Sequence, residues 1–308
     1  MLAKFLRRMF LVQVLLGAGL ACLLITYAAW PSWSLVAIVM LLPFLTMVLV
    51  DVITALKSRA SGESAAMWWR SLFGEFGAGI RVFLLRQPWV RTPPSFRAAT
   101  GSDKKIPVVL VHGYLCNNRI WDDMSIALRS AGHPVFAVDL EPLFISIDNY
   151  APIVESAVAQ LCRQTGASQV ALVGHSMGGL AIRGWMRAHG ATRVARVLTL
   201  GTPHAGTQIA PNTHTPNGQQ MGWRSPWLQA LSAHETAEAR ALIRIAITPQ
   251  DNIVYPQRAQ VLPGIEPTIF EGIGHVQMCL DQPVIRWVLG QLASLTQVRI
   301  PAVGDAAC

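Results

Sequence analysis

A serine hydroxyl becomes a useful nucleophile only when a neighbouring base takes its proton and an acid holds that base in place. Ser176 lies in Gly174-His175-Ser176-Met177-Gly178. The glycines of such a pentapeptide permit a sharp strand-to-helix turn that lifts the serine above a sheet edge. The apolar run Val170-Ala171-Leu172-Val173 precedes it and a helix-compatible stretch follows. That setting separates the pentapeptide from a chance occurrence and from a serine that merely sits in a turn. The chemistry it predicts is attack on a carbonyl carbon through a covalent acyl intermediate.

Where a serine is carried on this kind of turn, the partners follow in the chain order serine, acid, histidine. Asp251 fits as the acid, in Thr248-Pro249-Gln250-Asp251-Asn252-Ile253-Val254 after the strand-like run Ala241 to Thr248. His275 fits as the base, in Gly272-Ile273-Gly274-His275 after Pro267 to Phe270. Both fall where strand C-termini gather in an open parallel sheet. Asp281 comes after His275, on the wrong side for the acid; Asp139, at the end of an earlier strand, reads as structural; Glu271 is too near His275. Among the eight histidines, His133, His189, His214 and His234 read as surface residues, whereas His112, His175 and His204 are expected around the site without being the base. A tetrahedral intermediate also needs two donors aimed at its oxyanion. The backbone N–H of Met177 is one, and the N–H of Tyr114 in His112-Gly113-Tyr114 is the other.

Those residues need a scaffold. From Lys105 onward the chain alternates short apolar, β-branched runs with helical stretches, which predicts an α/β fold with a mostly parallel sheet and helices on both faces. Strands are expected at Ile106–Val111, Val135–Leu140, Gln169–Val173, Val194–Leu200, Ala241–Thr248 and Pro267–Phe270. Helices are expected near Asn118–Ala131, Asn149–Gln164 and Asp281–Leu295. This catalytic domain runs over 105–298, with a tail at 299–308. Residues 208–240, rich in Pro, Gly and Trp, form a long insertion that reads as a lid.

The N-terminal sixty residues are different in kind. Met9 to Trp30 carries no charged side chain and Trp33 to Val50 is equally apolar. At about 1.5 Å per residue each is long enough for a hydrocarbon core of about 30 Å. Pro31 and Ser32 interrupt them between Trp30 and Trp33, so residues 1–60 predict a transmembrane hairpin with spans of about 9–30 and 33–55. A signal peptide would not need the second segment. Lys4, Arg7 and Arg8 before the hairpin, and Lys57, Arg59 and Arg70 after it, place both outer ends, and the catalytic domain, on the cytoplasmic side of a bacterial inner membrane. Residues 61–104 link the two parts. Trp68, Trp69, Leu72, Phe73, Phe76 and Ile80 recur there at roughly helical spacing, which suits a membrane interface or packing on the domain. Gln87-Pro88 and Thr92-Pro93-Pro94 close the linker.

The five cysteines form no metal-ligand spacing and no disulfide framework. The net charge of +8 has no dense basic run or groove-reading motif behind it, so nucleic acid is not an expected partner. Lipid bilayer and an ester or lipid substrate are, and neither cofactor nor metal is expected.

Taken together, Val111-His112-Gly113-Tyr114, Gly174-His175-Ser176-Met177-Gly178-Gly179, Gly201-Thr202-Pro203-His204-Ala205-Gly206-Thr207, Asp251-Asn252-Ile253-Val254-Tyr255-Pro256 and Gly274-His275 resemble the bacterial triacylglycerol lipases of the α/β-hydrolase superfamily. The resemblance covers roughly Ile106 to Leu295 and not the hairpin. It implies an α/β-hydrolase fold and a membrane-anchored serine ester hydrolase of lipase or carboxylesterase type. Its catalytic residues would be Ser176, Asp251 and His275, with Tyr114 and Met177 at the oxyanion hole. Acyl transfer or thioester cleavage would use the same triad. A catalytically silent scaffold would have no reason to keep the full set, and two spans are too few for a transporter's repeated bundle.

Overall fold

The computed structural model describes residues 1–60, 62–89, 95–99, 105–209, 211 and 213–295. Two long helices come first, α1 (Leu2–Ala28) and α2 (Ser34–Ser58). They pack side by side as a hairpin, and most of their large apolar side chains stay exposed, Leu15, Leu16, Met40 and Leu49 among them. Helix α1 begins well before Met9, because Lys4, Arg7 and Arg8 are good helix formers and nothing there breaks the backbone ladder. Pro43 sits inside α2 without ending it. The Thr46 hydroxyl donates to the Pro43 carbonyl at 2.8 Å and accepts from Gln13 of α1 at 3.0 Å.

Helix α3 (Ala65–Gly79) runs on through a wider π turn, Ile80–Arg86. The Pro93-Pro94 end of the expected linker and the 299–308 tail lie outside the described residues. Strand β1 (Phe96–Arg97) opens the sheet, followed by β2 (Val108–Val111), α4 (Asp122–Ser130), β3 (Val135–Ala137), α5 (Ala151–Thr165), β4 (Val170–His175), α6 (Met177–His189) and β5 (Val194–Leu200). Three short helices follow, α7 (Pro216–Gln220), α8 (Pro226–His234) and α9 (Ala237–Ala241), then β6 (Ile243–Ile247), β7 (Thr268–Ile269) and α10 (Gln282–Ala293). The protein is thus an α/β fold preceded by two long apolar helices.

The seven strands lie in the order β1-β3-β2-β4-β5-β6-β7, parallel throughout except for β1, which runs antiparallel to β3. The antiparallel strand β1 is too short to show an alternation in sequence. The strand expected from Ile106 starts at Val108 instead, since Pro107 has no N–H to give the ladder. Alternate residues of each strand serve opposite faces. Val109, Val111, Leu172, Ile243 and Ile245 pack with α5 and α6 on one side. Val108, Leu110, Val173, Leu198 and Ala246 pack with α4 and α10 on the other. Strands β2 and β4 are neighbours whose outgoing connections, β2 to β3 and β4 to β5, run in opposite directions across the sheet, and the crevice at their C-terminal ends is where ligands bind in sheets of this type.

The insertion expected as a long loop at 208–240 is largely helical. Thr215, Ser225 and Thr236 each cap a helix by accepting an N–H three residues on. Pro follows directly after Thr215 and Ser225, where its fixed φ suits a first helical turn.

Candidate active site

Strand β4 ends at His175 and α6 starts at Met177, so Ser176 occupies the single residue between them. Its backbone stands at φ 54°, ψ −129°, a region that costs an L-residue of order 1–3 kcal/mol and persists only where surroundings impose it. Here the Ser176 N–H donates to the Leu200 carbonyl at 2.9 Å, and Gly179 N–H donates back to the Ser176 carbonyl at 3.1 Å. Gly178 leaves no room for a side chain at this turn unless the backbone shifts: a Cβ there would lie 2.1 Å from the Val111 carbonyl oxygen.

His275 and Asp251 come together from the loops beyond β7 and β6. The Nδ1–H of His275 donates to Asp251 Oδ2 at 2.8 Å, and both side chains are buried. Asp251 Oδ1 accepts the N–H groups of Ile253 and Val254 at 2.9 and 2.7 Å, which fixes the carboxylate's orientation. Burial alone would lower the His275 pKa. The charge and hydrogen bond of Asp251, with a further contribution from Glu75, outweigh it and hold the imidazole above its usual range. Among the described residues no hydrogen bond joins Ser176 to His275 in this state; such contacts are often long in an unliganded site and tighten with substrate.

The loop after β2 supplies the opposite wall. The N–H groups of Tyr114 and Met177 donate to no backbone carbonyl in the described turns and loops. His112 braces this loop. Its Nε2 accepts from the Leu140 N–H at 3.0 Å, which leaves the proton on Nδ1 to donate to Gly113 O at 2.8 Å. Burial keeps that ring neutral by lowering its pKa. A cavity of only about 10 Å³ lies here, bordered by Gly113, Tyr114, Met177 and Asn217 of α7. Helix α7 therefore covers the side formed by Tyr114 and Met177.

The remaining histidines sort by contact. His175 donates Nε2–H to the His275 carbonyl at 3.0 Å, and burial holds its pKa well below the usual value. His204 sits between Thr199 and Arg183 and is likewise kept neutral by burial and by the Arg183 charge. His189, His214 and His234 are exposed. His133, expected at the surface, is instead buried, with Nδ1 against the Ile106 carbonyl at 2.8 Å. Asp139 holds Asn118, and Asp281 caps α10. Cys116, Cys162 and Cys279 are buried free thiols. Among the described residues no three His, Cys, Asp or Glu side chains are placed to share a metal ion.

Neither Glu75 nor the end of α2 was visible as part of this site from spacing. Asn252, next to Asp251, donates to Thr54 Oγ1 at 3.1 Å and accepts from the His275 N–H at 3.4 Å. Gln257 donates to both Ser58 O and Asp251 O at 2.8 Å. Glu75 is buried and accepts the N–H groups of Val276 and Gln277. A cavity of about 280 Å³ separates the hairpin from the domain beside these contacts, bordered by Phe5, Met9, Met47, Glu75, Leu115 and Val276.

Comparison with known proteins gives the same picture of the domain. The profile of the Alpha/beta hydrolase family matches residues 108–296. A triacylglycerol lipase of Burkholderia plantarii is 34% identical over 128 residues, 39% of this chain and 35% of that protein. A triacylglycerol lipase of Pseudarthrobacter phenanthrenivorans is 35% identical over 122 residues, 37% of this chain and 38% of the relative. The chain thus spans little more than a third of either relative. Among solved structures, the mature form of a Bacillus licheniformis lipase superposes with a TM-score of 0.54 at 18% identity, covering 66% of this chain and 99% of its own. Lipase B of Aspergillus fumigatus gives 0.55 at 16% identity, covering 68% and 58%. At such identities the superpositions speak for the fold.

Proposed function

The chain belongs to the Alpha/beta hydrolase family, and from that premise we propose that it is a membrane-anchored serine hydrolase that cleaves carboxylic esters of lipids or acyl chains. The observation that carries the reading is the strained Ser176 between β4 and α6, directly after His175, whose ring donates to the carbonyl of His275 in a buried His–Asp pair. Ser176 Oγ attacks the ester carbonyl while His275 Nε2 takes its proton. The carbonyl oxygen, now negative, receives the N–H groups of Tyr114 and Met177; losing one such donor costs about 2.7–4 kcal/mol of transition-state stabilisation. Collapse breaks the bond to the alkoxy oxygen, which leaves as the alcohol with the proton from His275. Water then attacks the acyl-enzyme by the same sequence and releases the carboxylic acid. Asp251 holds the imidazole in the required tautomer and stabilises it when charged.

The anchor is the hairpin. Both of its helices are long and apolar enough to cross a membrane. Its two outer ends meet the catalytic domain on one side: the Leu2 N–H of α1 donates to Glu141 at 2.9 Å, and at the end of α2 Thr54 Oγ1 and Ser58 O accept from Asn252 at 3.1 Å and Gln257 at 2.8 Å. Lys and Arg at those ends favour the cytoplasmic face of the membrane. The lid reading is supported by α7, whose Asn217 lies against Met177.

Hydrolysis of short and long p-nitrophenyl acyl esters by detergent-solubilised protein, with Ser176→Ala as control, tests the reading. Turnover that disappears in the mutant supports it, and the chain-length profile separates esterase from lipase. Absence of turnover together with no labelling by a fluorophosphonate would overturn it.

A further inference from the structure

The base-bearing loop is held by a residue from outside the family domain. Helix α3 lies against the turn Val276–Cys279, whose first residues follow His275 directly. Glu75 Oε1 accepts the Val276 N–H at 2.9 Å and Oε2 accepts the Gln277 N–H at 3.0 Å. Its carboxylate therefore occupies the position of a cap on the turn that carries the base. The approach is close: a Cβ on Gly274 would lie 2.5 Å from Glu75 Oε2. Glu75 is only 4% exposed, and a carboxylate in that setting is retained at a desolvation cost that a side chain without a task would not carry.

The charges facing it are few. His275 lies on the domain side and Asp51 on α2, and the buried thiols of Cys116 and Cys279 are near enough to feel the Glu75 charge. His275 in turn is faced by Asp251, Glu75 and His175. Burial pushes the Glu75 pKa up to about 7, against the pull of the two N–H groups and of His275. Resting on the triad reading above, we propose that Glu75 is a positioning residue for the catalytic base: by gripping the Val276 and Gln277 N–H groups it fixes the turn that presents His275. Ester cleavage then depends on a helix of the N-terminal segment.

The test uses the full chain in detergent, comparing Glu75→Gln, Glu75→Ala and Glu75→Asp with the parent. The readouts are kcat and KM for a short p-nitrophenyl ester across pH, and the His275 imidazole titration followed by NMR. Loss of the grip should lower kcat by about 10- to 100-fold, as small misplacements of reacting groups do, with KM little changed. Removing the negative charge beside the imidazole should also move its titration, and the acid limb of the profile, to lower pH in Glu75→Gln. A purely structural loss would scale the profile without moving it. Glu75→Asp keeps the charge but withdraws the carboxylate by one methylene, so it should hold the acid limb and lose part of kcat. Wild-type kcat with an unmoved acid limb in Glu75→Gln would overturn the proposal. If the alanine and glutamine variants do not fold, full activity in Glu75→Asp would overturn it. Turnover surviving in Ser176→Ala would instead remove the triad reading. In that event the NMR titration decides the Glu75 question by itself, an unmoved His275 pKa in Glu75→Gln sinking it.

Discussion

His275 combines two opposed influences, a buried site that disfavours charge and an Asp251 carboxylate that demands it. The second wins, which sets the sign of the pH dependence. In the proposed reaction the imidazole must be neutral to accept the serine proton, and its pKa is raised in the fold. Activity should therefore fall on the acid side around a pKa above the ordinary value of about 6.5, as a kcat/KM profile would reveal. Asp251→Asn removes the main source of that upward shift. It should lower kcat by about 10⁴-fold, the size seen when a triad aspartate is neutralised in place, and move the acid limb to lower pH. Ser176, Asp251 and His275 could be singled out as candidates because each sits in a short signature after a strand. Glu75 was not: its partners lie 201 and 202 residues away in sequence. Within its own helix it reads as one more charge on an amphipathic face. His133 was misjudged for a related reason, since the Ile106 carbonyl that satisfies it belongs to another element.

At the scale of elements, β5 was readable to the residue, because Val194–Leu200 is an uninterrupted apolar and β-branched strand apart from Arg196. The insertion after it was not, although Thr215-Pro216 and Ser225-Pro226 are helix-start signals. Its Pro and Gly content masked helices of five to nine residues. What ties the insertion down is buried charge. Arg183 of α6, its side chain wholly buried, donates to Glu235 Oε2 at 3.0 Å and to Ser232 Oγ at 3.1 Å at the end of α8. Glu235→Ala strands that guanidinium and should cost about 3–5 kcal/mol in urea unfolding. Replacing the pair together by apolar residues of similar volume should recover much of the loss. Gly178→Ala drives a methyl into the Val111 carbonyl and should destabilise by about 1–3 kcal/mol, read as a lower melting temperature.

For the whole molecule, the hairpin was the easiest part to see and the hardest to connect. Length and lack of charge disclosed two helices. That Thr54 and Ser58 of α2 would meet the loop of Asp251 depends on the folded course of the intervening chain, which no local pattern encodes. Protease added to inverted membrane vesicles should digest the catalytic domain, whereas protease added outside spheroplasts should leave it intact; the reverse result would place the domain on the other side. The direct seating of the hairpin on the domain, with no long tether between α2 and α3, would under the proposed function also set how the site meets its substrate. On the proposed anchoring, the active site would be held at a fixed height above the bilayer and would search in two dimensions, with an effective substrate concentration set by the mole fraction in the surface. Adding inert detergent or phospholipid at constant total ester should then slow turnover by surface dilution, while stirring in more buffer should leave it unchanged.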